Sequence, residues 1–327
     1  ATGLTDKTYQ DTRLTNGTAY KYVVKASNKN GSTDSNELQV SPVEPLPSDI
    51  KIIEQAGWLE SAVVKWTNTA EVDKYNVYTK KAGDTDYIKV DDELVRYYGS
   101  YYRVDAVGLE AGQYTIKIAS VMDGSETGAV ETEVINVLAH NRDGYAHDPA
   151  SPNKTASGGY KDNGTPGDDA IILYIDKDTI NTVELDVVTN SKGGTTHEVG
   201  LANIMAGREK GYDKTPLIIR FIGMINSTDV SGLNGDRYIQ VKGCYNVTVE
   251  GIGDDTMLNG WSFLIRMANN IEVRNFGVKG FNDDGISLDT ANTNIWVHNN
   301  DIFYGQNKGG DQEKGDGSVD VKGKSTY

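Results

Sequence analysis

"CYNVTVEG" at 244–251, "ANNIEVRN" at 268–275 and "NTNIWVHN" at 292–299 decide how the second half of this chain folds. They set Asn246, Asn270 and Asn294 at successive intervals of 24 residues. Each Asn opens a run rich in β-branched residues: Val247-Thr248-Val249, Ile271-Glu272-Val273 and Ile295-Trp296-Val297. A second short run precedes each Asn, in "YIQVKG", "FLIRMA" and "GISLDT". One coil per 24 residues, with two or three short strands and a polar residue at one corner, predicts a parallel β-helix. Asn side chains at that corner stack and bond to neighbouring backbone. Independent turns would also favour Asn, but they would not repeat one spacing.

The next coil, "GSVDVKGKSTY", brings Tyr327 to the ladder position, 33 residues after Asn294. The extra length is the polar, Gly-rich loop "YGQNKGGDQEKG" at 304–315. Insertions in repeat folds become loops on one face, often the binding face.

Two stretches of this region are oddly acidic for strands: "NDDGISLDT" at 282–290 and "GDGSVDVKG" at 315–323. Asp284 lies ten residues before its ladder position and Asp316 eleven before Tyr327. They are expected at almost the same place on adjacent coils, about 5 Å apart. Val319 and Val321 take the inward parity, which turns Asp320 outward; Ile286 and Leu288 do the same for Ser287 and Asp289. Asp284, Asp316 and Asp320 are therefore expected to converge on one exterior patch. Like charges that close need a counter-cation. An all-oxygen donor set favours Ca2+. No His or Cys pair has zinc-ligand spacing. A solvated acidic rim is the alternative.

The first half reads differently. The runs "AVVKWT", "KYNVYTKK", "YRVDAVGL", "QYTIKIASVM" and "ETEVINVL" between 62 and 138 are short strands separated by turn signals, one β-sandwich in length. Trp66 sits where such sandwiches bury a tryptophan, and "LEAGQY" at 109–114 places Tyr114 as a corner tyrosine. Upstream, "LTNGTAY" spaces Leu14 and Tyr20 in the same way, ahead of a strand over 20–26. Both stretches resemble fibronectin type III modules, the first of them partial. "VEPLPSD" at 43–49 reads as a linker. The expected organisation is a partial module over 1–45, a complete one over 46–140 and a β-helix over 141–327. The modules are expected to act as spacers, the alternative being carbohydrate or surface attachment.

Composition narrows the partners. The 327 residues carry a formal net charge of -15, which argues against nucleic acid. Nothing approaches a membrane span. The single cysteine, Cys244, excludes an intrachain disulfide framework and is expected to be a buried hydrophobe.

The ladder, "NIWVHNND" at 294–301, the two acidic stretches and "GDGSVDVKGKSTY" together resemble the pectate lyase family over roughly 142–327, most closely over 238–327. The resemblance implies an all-β chain: an incomplete right-handed parallel β-helix behind one partial and one complete sandwich. It implies a secreted, extracellular, monomeric enzyme that cleaves polygalacturonate or pectin by β-elimination with Ca2+. By position it makes Asp284, Asp316 and Asp320 the primary Ca2+ ligands, with Asn282 and Asp283 weaker matches. Many members read W-V-D-H where this chain has Val297, His298 and Asn299, so His298 is out of register and is expected to be structural. The catalytic Arg of the family is expected beyond Tyr327, leaving this chain without it and inactive. Two rivals remain. "NDDGI" is similar to a motif of polygalacturonases, β-helix hydrolases whose other motifs are missing here. A non-catalytic, calcium-stabilised adhesin or polysaccharide-binding module needs no catalytic coil.

Overall fold

The computed structural model describes residues 3–4, 8–9, 11, 14–15, 17–42, 49–67, 72–309 and 314–326. Most of the expected linker, part of the 304–315 loop and Tyr327 lie outside the described residues. The described residues are all-β apart from one short α-helix and three 3-10 turns.

In the first module, Tyr20–Tyr22 pairs antiparallel with Leu38–Val40, and Lys25–Asn28 with Gly31–Asp34. The Thr15 N–H donates to the Tyr20 hydroxyl at 2.9 Å, so the tyrosine does reach upstream backbone.

Residues 51–137 form an antiparallel sandwich. One sheet runs Lys51–Trp58, Ser61–Thr67, Tyr102–Val107, Val95–Tyr97; the other is built on Lys74–Lys81 and Gly112–Met122. The alternation of Ser61–Thr67 buries Ala62, Val64 and Trp66. Trp66 packs edge-on against Tyr75 and stacks with Tyr102, with centroids 5.2 and 5.9 Å apart. The corner tyrosine forms as expected: the Tyr114 hydroxyl donates to the Glu110 carbonyl at 2.9 Å.

From Leu217 the chain alternates between two parallel sheets. One stacks Leu217–Asn226, Tyr245–Asn259, Asn269–Arg274 and Thr293–His298; the other stacks Tyr238–Lys242, Ser262–Arg266, Ile286–Asp289 and Val319–Val321. Val247, Ile271 and Ile295 are direct register partners on successive coils, which is the 24-residue repeat in three dimensions. The interior is a continuous core of Val249, Ile265, Val273, Phe276, Ile286 and neighbours. Beneath the first coil the helix Leu201–Arg208 buries Leu201, Ile204 and Met205 in the same core. It covers an end that would otherwise present an open apolar layer.

The three ladder residues all adopt left-handed backbone, with φ of 57° each. Asn tolerates this region because its short side chain bonds locally. Asn270 Nδ2 donates to Asn246 Oδ1 at 2.8 Å. Asn294 leaves the stack and donates to the Ala146 carbonyl (2.8 Å) and Ser151 Oγ (2.7 Å) of the segment laid across the corner. Thr326 bridges Thr293, so the 33-residue coil keeps the ladder register.

The sandwich is no loose spacer. Ile252 of the β-helix is buried in the sandwich core, with Tyr174 and Ile222 packed beside it. Arg96 makes a bidentate pair with Asp255 (2.8 and 2.6 Å), and Arg103 pairs with Asp254 at 2.6 Å. The expectation of a spacer is corrected here for this module: ionic and apolar contacts hold it against the β-helix.

Candidate functional site

The expected carboxylates come from neighbouring strands of one parallel sheet. Ile286–Asp289 pairs with Val319–Val321 so that Ser287 faces Asp320. Asp284, two residues before its strand, is fully buried at 0 % exposure. Its main chain is clamped by Tyr238 two coils below. The Asp284 N–H donates to the Tyr238 hydroxyl at 2.6 Å, which in turn donates to the Asp284 carbonyl at 3.3 Å. Asp284 Oδ1 accepts the Gly317 N–H at 3.0 Å. Asp284 Oδ2 is buried and has no hydrogen-bond partner.

The nearest cation to that oxygen is Lys322, with Nζ 3.6 Å from Asp284 Oδ2 and 2.6 Å from Asp320 Oδ2. Asp284 and Asp320 thus meet around one ammonium. Asp316 does not join them in the way expected. Its N–H donates to the Asp283 carbonyl at 2.8 Å, and its side chain is exposed. The strand register explains the offset: Ile286 faces Val319, which puts Asp316 opposite Asp283 and Gly317 opposite Asp284. Asp283 itself lies 3.4 Å from Lys308. Among the described residues no three His, Cys, Asp or Glu side chains are gathered tightly enough to hold a metal.

The donor chemistry still suits a hard cation. Carboxylate oxygens of Asp284 and Asp320 face the point held by Lys322, and a buried carboxylate oxygen without a hydrogen bond is a costly feature that a cation relieves. Burial raises the Asp284 pKa, outweighing the hydrogen bonds of Ser287 and Gly317 and the Lys322 charge. The Lys322 pKa is raised, first by its hydrogen bond to Asp320. That ammonium is a cation and not a base near neutral pH.

A second set of buried charges lies on the other sheet, where the sandwich covers it. Glu250, Arg274 and His298 occupy one register column on successive coils. Glu250 accepts from Tyr160 (2.5 Å), Arg220 (2.9 Å) and Arg274 (2.9 and 2.8 Å). Glu272 accepts from Arg274 (3.1 Å) and Thr248 (2.9 Å) and lies 3.2 Å from His298 Nε2. The sandwich contributes Glu60, bound to Arg142 at 2.5 and 3.0 Å. His298 stacks on Trp296 at 3.6 Å and faces this junction, on the sheet away from the Asp284 strand. A cavity of about 260 Å³ remains between the units, lined by Glu60, Arg103, Glu250, Arg274 and His298 among others.

Cys244 is wholly buried, and burial pushes its thiol up to about 12, which fits a packing role. Sequence reasoning missed Tyr238 and Lys322. Both reach Asp284 from other coils, and neither belongs to the repeated motif.

The chain is 32% identical over 143 residues to two curated proteins of Bacillus licheniformis, each described as a pectate trisaccharide-lyase. The match takes in 42% of this chain and 40% of each relative. The chain thus spans about two-fifths of the length of the curated relatives it matches. No family model matches it. Among solved structures, the chicken CNTN1 FN1–FN3 domains align at 14% identity and a TM-score of 0.21, covering 37% of this chain and 43% of that one. A β-1,2-glucanase from Parabacteroides distasonis aligns at 14% identity and a TM-score of 0.22, covering 39% and 20%. At such scores neither likeness bears on fold or activity.

Proposed function

We propose that this chain is part of a secreted, calcium-dependent pectate lyase that cleaves polygalacturonate by β-elimination. The observation that carries the reading is the 32% identity to pectate trisaccharide-lyase over 143 residues. The convergence of Asp284 and Asp320 on one cation position supports the calcium part of it.

In β-elimination a base removes the proton on C5, alpha to the uronate carboxylate. The electron pair forms the C4–C5 double bond, the bond from C4 to the bridging oxygen breaks, and that oxygen takes up a proton. The C5 proton is weakly acidic because the adjacent carboxylate already carries negative charge. A bound Ca2+ supplies charge neutralisation of that carboxylate. In this chain Asp284 and Asp320 would hold the ion, with Asp316, exposed on the neighbouring turn, the third expected ligand. Tyr238 fixes the Asp284 main chain and the Gly317 N–H fixes Oδ1, leaving Oδ2 toward the position held by Lys322. The cation also reconciles an acidic polymer with a chain of net charge -15.

Lys322 is held protonated by Asp320, and His298 is engaged at the junction, so neither is assigned as the proton acceptor. The test is an assay of the full-length protein on polygalacturonate with Ca2+ and with a chelator. A lyase gives an unsaturated, ultraviolet-absorbing product that chelation abolishes. New reducing ends without that absorbance would identify a hydrolase. Tight binding with neither product would identify an adhesin.

A further inference from the structure

We infer that Lys322 is a built-in counter-cation of the acidic cluster, which a divalent ion must displace and a monovalent ion does not. The inference rests on the proposal that this cluster takes a metal, and it adds how the site sets its affinity and its choice of ion.

The Asp284 side of the site is fixed. Asp284 is fully buried, its amide and carbonyl are clamped by Tyr238, and its Oδ1 is fixed by the Gly317 N–H. Only Oδ2 is uncommitted by hydrogen bonds, and it is aimed at Lys322 Nζ, 3.6 Å away. The lysine side of the site is free to move. Its side chain is 48% exposed, and its ammonium reaches the cluster along a flexible stem. Its backbone is anchored independently, with the Lys322 N–H donating to the Leu288 carbonyl at 2.9 Å. The ammonium can therefore swing into water while the backbone of Val319–Val321 and the Asp284 carboxylate stay in place.

Charge decides which ion gains by replacing it. Asp284 and Asp320 present two negative charges, and Lys322 supplies one positive charge at 2.6 Å from Asp320. A sodium or potassium ion offers the same charge as the ammonium already tethered there. It gains nothing electrostatically and must pay its own desolvation. A divalent ion neutralises both carboxylates and releases the lysine to solvent. The tethered ammonium thereby lowers affinity for every cation and leaves a net gain only for the divalent ones. It also explains how the metal-free cluster tolerates a buried carboxylate.

The test is calorimetric titration of the folded protein with CaCl2, at matched ionic strength in sodium and in choline salts. Removing the ammonium in Lys322→Met should tighten Ca2+ binding by about tenfold or more, the scale of one charged hydrogen bond. Ca2+ binding to this variant should also weaken in sodium relative to choline, whereas that to the parent should not. Lys322→Arg, which keeps the charge, and Lys324→Met, which removes an equal charge two residues on, should stay within about threefold of the parent. Lys322→Gln repeats the measurement should the Met variant melt abnormally. Equal Ca2+ affinity in the parent and Lys322→Met, weaker binding in Lys322→Met, or equal tightening in Lys324→Met overturns the inference. Absence of Ca2+ binding in the parent and in every variant overturns the metal site itself, a distinguishable failure.

Discussion

The junction with the sandwich and the Asp284 cluster both bury carboxylates, and they treat them in opposite ways. At the junction with the sandwich, Glu250 and Glu272 are enclosed, and every carboxylate oxygen meets a donor. Burial alone would raise their pKa values, but the Arg274 charge, joined at Glu250 by Arg220, outweighs it and holds both below the usual range. At the acidic cluster, Asp284 is as deeply enclosed, yet one oxygen has no hydrogen bond and burial wins, raising its pKa. Burial of a carboxylate is thus no mark of function in itself. The distinguishing feature is whether the protein has completed the charge. The junction is complete and structural; the cluster is left one charge short.

Breaking the complete region should cost most. Arg274→Met leaves Glu250 and Glu272 buried without their shared partner, and should lower stability by about 3–5 kcal/mol. Denaturant unfolding measures this, and Arg274→Met combined with Glu250→Gln should recover part of the loss. A smaller effect is expected from the sandwich side. Glu60→Gln weakens the pair with Arg142 and should cost about 1–3 kcal/mol. An unchanged β-helix melting point in that variant would return the sandwich to the role of spacer.

The junction should also respond to pH. His140 packs against Trp296 and His298, and burial, aided by Arg274, lowers its pKa to about 4. The unfolded chain takes up this proton below about 6.5, and the folded chain refuses it until about 4. Stability is therefore full above pH 6.5 and lost as pH falls toward 4, by about 1–3 kcal/mol. His147, also lowered by burial, acts in the same direction. His140→Gln should flatten the slope of melting temperature over that interval.

The two regions were not equally legible in the sequence. The 24-residue spacing of Asn246, Asn270 and Asn294 revealed the coils because a stacked coil has a fixed circumference and each corner needs a residue that accepts positive φ. Parity along Ile286 and Leu288 correctly turned them into the core. The 33-residue spacing gives the register of this coil correctly, but the one-residue offset it leaves between Asp284 and Asp316 is no near-coincidence: along a strand it puts Asp316 opposite Asp283 with its side chain exposed. Lys322 and Tyr238 went unnoticed: Tyr238 reaches Asp284 across two coils, and Lys322, although only two residues from Asp320, reaches Asp284 from the next coil. The junction had one overlooked signal: Glu250, Arg274 and His298 recur at the repeat interval on outward positions. An acid and a base paired on adjacent coils, with a His next in line, point to a covered face, but the sequence does not say what covers it.

The central claim is that the Asp284 cluster is incomplete by construction and is completed by a divalent cation. It is tested most directly by the thermal stability of Asp284→Asn, with chelator and with Ca2+. In chelator the variant should melt no more than about 1 kcal/mol below the parent, or above it, because it removes a buried charge that lacks a full partner. On adding Ca2+ the parent should gain stability and the variant should not. A variant that loses as much stability in chelator as Arg274→Met, or that keeps the Ca2+ shift of the parent, would contradict the account.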